Sequence, residues 1–305
     1  MAFKAIGPLR HRAFVGSQSQ LWEIGAGAAM SIDLHATESS KEIRLTHMAA
    51  FYFATSARSA VGLVRSGNED SALAAKNLIA VADGMGGHAA GEVASSLAIK
   101  TLVQSAQVFT HPDIDEESAD DLYLQAIQEA DQSLKNAVEE NPALSGMGTT
   151  LTSLLLRGSS VALLHIGDSR AYRLRGSSFD QLSVDHTVIQ ELLNQGAISE
   201  SDIATHPQRS VLTQVLMGEG NIEVPLPVID VKLGDRFLVC SDGLSSVLTD
   251  KEIKSLLKGK DRDAAVAALV DATYINGAPD NVTLVIADIV EENQPDTFET
   301  IGAAG

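Results

Sequence analysis

Cysteine and positive charge are both scarce in this sequence. The one cysteine, Cys240, excludes an intramolecular disulfide, and such cysteine usage is typical of proteins from a reducing compartment. Lysine and arginine number 22 against 40 aspartates and glutamates, which gives a formal net charge of -18. Because a surface with this charge repels nucleic acids and anionic membranes, we expect neither as a partner.

Long apolar runs are also missing, since no uncharged stretch reaches the roughly 18 residues of a membrane helix. Basic residues near the amino terminus precede a mildly apolar stretch, but Glu23 interrupts it and no convincing cleavage site follows. We therefore expect a cytoplasmic protein with neither a secretory signal nor a membrane span. Apolar residues still make up 45% of the chain, which is enough for a large buried core.

The residue pattern divides the chain into three regions. Residues 1–47 show no sustained helical or strand period, so we expect a weakly ordered extension, and Met48 is a candidate start of translation. Residues 48–292 alternate strand and helix signals with short breaks, which predicts the main folded domain. Residues 293–305 end in Gly-Ala-Ala-Gly and predict a flexible tail.

Apolar residues recur at helical spacing in several parts of the main region. Two long segments, 91–109 and 119–138, predict amphipathic helices. Gly176 follows a short strand-like run and predicts a hairpin turn. Shorter helices are predicted over 188–193, 250–257 and 262–274.

Four apolar segments that predict buried strands each have an aspartate at one end. One aspartate beside a strand is ordinary turn chemistry, because its carboxylate accepts hydrogen bonds from nearby backbone N–H groups. Four of them can instead meet where strands of one core end, and gathered carboxylates repel one another unless they are protonated or bind a cation. An oxygen-only set without cysteine suits Mg²⁺ or Mn²⁺ better than Zn²⁺. These aspartates are Asp83, Asp168, Asp242 and Asp280.

A glycine-rich stretch, residues 83–91, follows the first of these strands. Gly84, Gly86 and Ala89 fit the degenerate fingerprint of a dinucleotide site at a strand-to-helix junction. Asp83 opposes a pyrophosphate there, and no acidic residue lies near the ribose position about 20 residues further on, which disfavours this interpretation. The glycines can instead let the backbone approach a metal ion or its waters closely.

A compact charged group, Arg65-Ser-Gly-Asn-Glu69-Asp70, precedes another strand. It fits a solvated loop whose surface ion pair contributes little to stability. It equally fits an arginine that binds phosphate, because guanidinium matches phosphate with two parallel hydrogen bonds. These six residues alone do not decide between the two interpretations.

Taken together and in order, these motifs resemble the protein phosphatase 2C family of metal-dependent Ser/Thr phosphatases, specifically its bacterial branch. The resemblance runs from about residue 51 to residue 290, and each motif alone is unspecific. The motifs are Arg65 with Glu69-Asp70, residues 83–88, Gly146-Met-Gly-Thr-Thr150, Gly167-Asp-Ser-Arg170, Ser241-Asp242-Gly243 and Pro279-Asp280-Asn281.

The resemblance implies an α+β fold, a four-layer αββα sandwich in which helices flank two largely antiparallel central sheets. Residues 48–292 would then be the phosphatase catalytic domain, with two Mn²⁺ or Mg²⁺ ions at one edge of the sheets. By motif, Asp83 would bridge the two ions and Gly84 would ligate one through its carbonyl. Asp242 and Asp280 would complete the coordination of the other ion.

The resemblance also assigns residues around the two ions. Arg65 would bind the phosphate, while Glu69 and Asp70 would act through bound water or support the ligands. Asp168 would hold a weaker third metal, and Ser210 is a further candidate near it.

The implied reaction is hydrolysis of phosphoserine and phosphothreonine on proteins by a hydroxide that bridges the two metals. Such an enzyme would oppose a bacterial Ser/Thr kinase, and that kinase and its targets are the expected partners of a monomer. A catalytically dead scaffold of the same fold is an alternative, but no metal aspartate is missing. A hydrolase of small phosphate esters is another, because the site reads phosphate and metal rather than the rest of the substrate.

The general acid stays unassigned. Many eukaryotic members carry histidine directly after the Asp-Gly pair, where this chain has Met85, which has no proton to donate. His88 follows three residues later, and a metal-bound water could serve instead. His186 and residues 206–210 fall where bacterial members have a mobile flap.

Overall fold

The computed structural model describes residues 21–24, 28–32, 45–47, 50–87, 90–111, 113–220 and 222–305. Backbone contacts divide the chain into two units, Met1–Ala49 and Ala50–Gly305. An antiparallel sheet of three strands lies in the first unit, where the sequence predicted no regular element. These strands have only three to five residues, too few to produce a visible period. They are β1 (Leu21–Ile24), β2 (Ala28–Ile32) and β3 (Leu45–His47).

Twelve further strands belong to the second unit. In chain order they are β4 (Tyr52–Ala60), β5 (Asp70–Ala74), β6 (Leu78–Met85), β7 (Gly148–Thr149), β8 (Leu151–Arg157), β9 (Ser160–Ile166), β10 (Arg170–Arg175), β11 (Ser178–Gln181), β12 (Val228–Asp230), β13 (Arg236–Cys240), β14 (Val282–Val290) and β15 (Glu299–Gly302). One sheet has the order β11-β10-β13-β14-β4. The other has the order β12-β9-β8-β6-β5-β15, with β7 paired to β6 outside this path. All neighbours in both sheets run antiparallel.

Six α-helices accompany the sheets in the described residues. They are α1 (Ala90–Phe109), α2 (Glu116–Glu140), α3 (Val188–Asn194), α4 (Asp242–Ser245), α5 (Asp250–Leu257) and α6 (Arg262–Ile275). The five helices predicted from apolar spacing are confirmed as α1, α2, α3, α5 and α6. Helix α2 begins earlier than predicted because Asp115 accepts a hydrogen bond from the Ser118 N–H at 2.9 Å and caps the helix.

Side chains alternate between separate cores along the strands, which defines four layers. Along β6, Leu78 and Ala80 pack in the core that contains α1 and α2, whereas Ile79 and Val81 pack in a core between the sheets. Leu238 belongs to a third core, between the five-stranded sheet and the helices α4, α5 and α6. The α+β, four-layer prediction is confirmed, with layers in the order helices, sheet, sheet, helices.

The strands predicted from continuous apolar runs are β6, β9, β13 and β14. Their runs are continuous because both faces of each sheet are covered. The predicted turn at Gly176 is also confirmed, since β10 and β11 pair around it and its φ of 60° suits glycine. Among the helices of the described residues, none combines the length and apolar character that crossing a membrane requires.

The segment predicted to be a flexible tail, residues 293–305, instead contains β15. This strand pairs with the edge of β5, with Thr300 opposite Leu73. The N–H of Ala303 then donates to the carbonyl of Asp70 at 2.8 Å. The prediction was wrong because a four-residue strand followed by glycine and alanine has the composition of a tail, and its pairing partner lies far away in the sequence.

Candidate metal centre

Each sheet contributes aspartates to one shared edge of the sandwich. Asp70 begins β5 and lies directly opposite Asp83, near the end of β6. In the other sheet, Asp242 follows β13 and Asp280 precedes β14, and these two strands pair with Cys240 opposite Leu284. Because the strands are antiparallel, the end of one and the start of the other lie at the same edge.

Hydrogen bonds and charge connect the two pairs of aspartates. The carboxyl groups of Asp83 and Asp242 lie close together, since each affects the pKa of the other. Arg65 Nη2 donates to Asp280 Oδ2 at 2.7 Å, and its guanidinium is half exposed. This bond, with the nearby charges of Glu69 and Asp83, raises the pKa of Arg65. The structure therefore places Arg65 beside the carboxylates through a half-exposed ion pair.

Burial and mutual repulsion raise the pKa values of these carboxylates. Burial, followed by the charges of Asp242 and Asp280, raises the pKa of Asp70 to about 7. Burial also raises the pKa of Asp168 to about 7, with Asp242 as the next cause. The pKa of Asp83 and that of Asp242 are raised as well, in both cases mainly by burial. A bound cation would lower these pKa values, because its positive charge stabilises the ionised carboxylates.

Asp70 carries an unsatisfied oxygen that fits a cation. Its side chain is 1% exposed, and Ser241 donates to Oδ2 at 2.8 Å, while Oδ1 is buried with no hydrogen-bond partner in the described residues. A buried oxygen of this kind, among ligands that are all oxygen, suits a hard divalent ion. The described residues contain no ready-made group of three acidic, histidine or cysteine side chains that could hold a metal, so the fit rests on charge and on this oxygen.

Two glycines allow the chain to close around the cluster. A Cβ atom on Gly84 would lie 2.0 Å from the carbonyl oxygen of Gly91, and the Gly84 N–H donates to the carbonyl of Glu69 at 3.2 Å. A Cβ atom on Gly243 would lie 1.8 Å from the carbonyl oxygen of Asn281. Glycine is therefore required at both positions by packing. His88, the histidine considered as a proton donor, lies outside the described residues.

Asn281 ties the Arg65 loop to the cluster, a role that the sequence pattern did not predict. Its buried side chain donates from Nδ2 to the carbonyls of Val61 and Gly67, both at 2.8 Å. Its Oδ1 accepts from the Glu69 N–H, also at 2.8 Å. The only signal in the sequence was its place beside Asp280. The pKa of Glu69 is raised, mainly by burial, and the charge of Arg65 opposes that shift.

Thr150 explains why the Gly146–Thr150 motif belongs to the site. Its backbone N–H donates to the carbonyl of Asp83 at 2.9 Å, and its Oγ1 accepts from the Asp83 N–H at 2.9 Å. Thr150 Oγ1 also pairs with Ser169 Oγ at 2.8 Å, which links Asp83 to the turn that carries Asp168. The motif thus positions two of the predicted ligands without contributing a carboxylate.

The two flap candidates differ in position. The backbone N–H of His186 donates to the carbonyl of Gly167 at 2.8 Å, and its Nδ1 accepts from the Gly167 N–H at 3.2 Å. Burial lowers the pKa of His186, so the neutral ring holds the loop before Asp168. Ser210 is exposed, and within the described residues no hydrogen bond joins it to the carboxylates.

Two antiparallel sheets between helices, with aspartates from both sheets beside an exposed arginine, form a fold and a site suited to metal-dependent phosphate chemistry. The model of the family described as protein phosphatase 2C matches residues 67–275. The chain therefore belongs to the protein phosphatase 2C family.

Several known proteins are similar to this chain. The serine/threonine protein phosphatase PstP of Mycobacterium tuberculosis is 41% identical over 250 residues, which are 81% of this chain and 47% of that protein. The serine/threonine phosphatase stp of Listeria monocytogenes is 36% identical over 234 residues, 74% of this chain and 92% of that protein. The chain thus spans about half the length of the mycobacterial relative and most of the Listeria one.

A solved structure shares both the fold and a metal content. The crystal structure of the catalytic domain of PstP in complex with two manganese ions has a TM-score of 0.72 and 39% identity, covering 79% of this chain and 99% of that one.

Proposed function

We propose that this chain hydrolyses phosphoserine and phosphothreonine on proteins with the help of divalent metal ions. One observation carries the proposal: aspartates from both sheets meet beside Arg65, where Asp83, Asp242 and Asp280 are half-buried, and the buried Asp70 keeps a carboxylate oxygen without a hydrogen-bond partner in the described residues. The names of the relatives and the two manganese ions in the PstP structure support it.

The metal ligands proposed are oxygen atoms at the shared edge. Asp83 would contact both of two Mn²⁺ or Mg²⁺ ions, with the carbonyl of Gly84 on one and Asp242 and Asp280 on the other. When bound, two such ions acidify a water and neutralise phosphoryl oxygens. Asp70, whose Oδ1 is unsatisfied among the described residues, would anchor water at their edge.

A weaker third ion would lie near Asp168. This assignment follows the resemblance of the Gly167-Asp-Ser-Arg170 motif to bacterial members of the family, and burial together with the charge of Asp242, which raise the pKa of Asp168, is compatible with it. Glu69 would contribute to metal binding through a water molecule. Its carboxylate lies near Arg65 and Asp280, and the charges of both affect its pKa. Within the described residues no hydrogen bond joins the exposed Ser210 to these carboxylates, so Ser210 stays a candidate near the third ion that no contact supports.

Arg65 binds the phosphate in this proposal. One of its Nη2 donors is engaged by Asp280, and the half-exposed guanidinium leaves other donors free for two phosphoryl oxygens. The bond to Asp280 fixes the guanidinium next to the metal ligands, so that a phosphate bound by Arg65 would lie beside them. Arg65 thus orients the phosphoryl group and stabilises its charge as the leaving oxygen departs.

Turnover of a phosphothreonine peptide and of p-nitrophenyl phosphate tests the proposal. With Mn²⁺ we expect both to be hydrolysed, and exhaustive EDTA treatment followed by gel filtration should abolish the activity. Asp83→Asn should do the same at saturating Mn²⁺, whereas Asp271→Asn, an exposed position on α6, serves as the control. Turnover of the small ester alone would favour the small-ester hydrolase, and no turnover of either would favour the scaffold.

We further propose that the physiological substrates are a bacterial Ser/Thr kinase and its targets, and that the protein acts as a monomer. The similarity to Ser/Thr phosphatases of bacteria supports the first part. Phosphate release from an autophosphorylated kinase domain of that class, and the mass measured by light scattering, test the two parts separately.

A further inference from the structure

An exposed apolar segment directly precedes Arg65. Of the nine large apolar side chains that are exposed in the described residues, three belong to the four residues Val61, Gly62, Leu63 and Val64. Leu63 is 63% exposed and Val64 is 72% exposed. Scattered apolar residues on a surface need no explanation, but such a group beside a candidate site indicates a contact surface.

The backbone of this segment is fixed from several sides. The Gly62 N–H donates to the Tyr274 hydroxyl at 3.0 Å, and the Leu63 N–H donates to the carbonyl of Ala278 at 2.9 Å. Gly62 adopts a φ of 83°, and a Cβ there would lie 2.1 Å from the carbonyl oxygen of Asp280. The segment is thus packed against the turn that carries Asp280, and the side chains of Leu63 and Val64 point to solvent from a rigid support.

Leu63 and Val64 lie within the reach of a short peptide from Arg65. Consecutive Cα atoms are about 3.8 Å apart, so Leu63 lies within about 8 Å of Arg65 along the chain. Adjacent residues of an extended peptide are about 3.3–3.6 Å apart. When Arg65 holds a phosphate on one residue of a substrate, the next one or two residues of that substrate can therefore lie over Leu63 and Val64.

We propose that Leu63 and Val64 form an apolar shelf that binds the side chain next to the phosphorylated residue. The preferred substrates are then phosphoserine and phosphothreonine segments with an apolar residue next to the phosphorylated one. The net negative charge of the chain gives no such preference for an apolar residue. This inference rests on the proposed function, because it assigns the phosphate to Arg65.

The test uses two phosphothreonine peptides that differ only in the residues flanking the phosphothreonine, leucine in one and serine in the other. kcat/KM with Mn²⁺ is measured for the whole chain and for the double variant Leu63→Ser/Val64→Ser. The matched control is Leu233→Ser/Val228→Ser, which also removes two exposed apolar side chains. Leu233 precedes β13, at the opposite end of that strand from Asp242.

We expect the unchanged protein to favour the leucine peptide by about fivefold, because part of a leucine side chain leaves water. In the Leu63→Ser/Val64→Ser variant, the ratio of kcat/KM for the leucine peptide to kcat/KM for the serine peptide should fall to about one. In the control variant this ratio should stay near five. Each ratio comes from a single preparation, so any inactive fraction cancels.

Two results would overturn the shelf while the proposed function stands: a ratio near one in the unchanged protein with both peptides hydrolysed, or a fivefold ratio that persists in the Leu63→Ser/Val64→Ser variant. Failure to hydrolyse either peptide, even with Mn²⁺, would remove the proposed function and the shelf together.

Discussion

At the scale of single residues, Asp70 shows what the site does to a carboxylate. The ordinary pKa of an aspartate is near 3.8, and burial with neighbouring carboxylates raises that of Asp70 to about 7. The folded protein therefore keeps a proton that the unfolded chain releases between these two values. Folding stability contributed by this residue is greatest at low pH and is lost as the pH rises through about 7.

We predict that, in EDTA, the free energy of unfolding falls as the pH rises from about 4 to about 7. Asp70→Asn should flatten this slope, because the amide has no proton to lose. Denaturant titrations at a series of pH values measure it, with the exposed Asp271→Asn as the control. An identical slope in both variants would show that other groups set the pH dependence.

Asn281 should act on phosphate binding through Arg65. Asn281→Ala leaves the carbonyls of Val61 and Gly67 and the Glu69 N–H without their partner, which should cost about 2–3 kcal/mol of stability. The released loop should then raise KM for a phosphopeptide, as Arg65→Ala should raise it directly. Because both changes affect the same interaction, their effects on kcat/KM in a double-mutant cycle should fall short of additivity by about 1 kcal/mol.

Full additivity in that cycle would mean that Asn281 supports the fold but does not position Arg65. Measuring Mn²⁺ affinity in the same four proteins separates an effect on the loop from an effect on the neighbouring Asp280.

At the scale of elements, helix α2 anchors the loop that follows the flap candidates. The buried carboxylate of Asp131 accepts hydrogen bonds from the N–H groups of Met217, Gly218 and Gly220, at 3.2, 2.7 and 2.8 Å. We predict that Asp131→Asn, which keeps one acceptor and adds an unwanted donor, lowers the free energy of unfolding by about 1–3 kcal/mol. Asp121→Asn, exposed on the same helix, should change it by less than about 0.5 kcal/mol, and chemical denaturation compares the two.

Strand β15 is a second element with a measurable role. Deleting residues 293–305 removes the partially buried side chains of Phe298 and Ile301 and the buried Ala304, and exposes the edge of β5. We predict a loss of about 3 kcal/mol of stability and weaker Mn²⁺ binding, because the Asp70 carbonyl loses the N–H of Ala303. Thermal unfolding with and without Mn²⁺ measures both effects, and an unchanged melting temperature would contradict them.

The elements found from sequence share a local signal, and those missed depend on distant partners. Strands such as β14 are apolar throughout, and helices such as α5 show spacing and a cap that reside in the element itself. Strand β15 and the burial of Asp70 depend on pairing across the fold, which no local pattern encodes. In the same way, the aspartates at strand ends predicted the site, whereas Asn281 acts on residues more than two hundred positions away.

At the scale of the whole molecule, the division into two units raises the question of whether the second unit folds and acts without the first. Residues 1–49 form one unit and residues 50–305 the other, and the carboxylates all lie in the second. We predict that removing residues 1–47 leaves Mn²⁺-dependent kcat/KM within about a factor of two and stability within about 1 kcal/mol. Phosphatase assays and unfolding measurements on the shortened and whole chains, prepared alike, compare their kcat/KM and stability. A folded but inactive shortened chain would show that the first unit contributes to the site.

Because β15 pairs with β5, a strand made late in translation completes a sheet whose first strands are made early. During translation Asp70 leaves the ribosome early, whereas Asp242, Asp280 and the N–H of Ala303 that caps the Asp70 carbonyl emerge much later. A nascent chain therefore carries Asp70 and Asp83 without Asp242 and Asp280 for most of its synthesis. The two sheets can meet at their shared edge only after Asp242, Asp280 and β14 have emerged, and β15 then adds its pairing to β5 as the last strand.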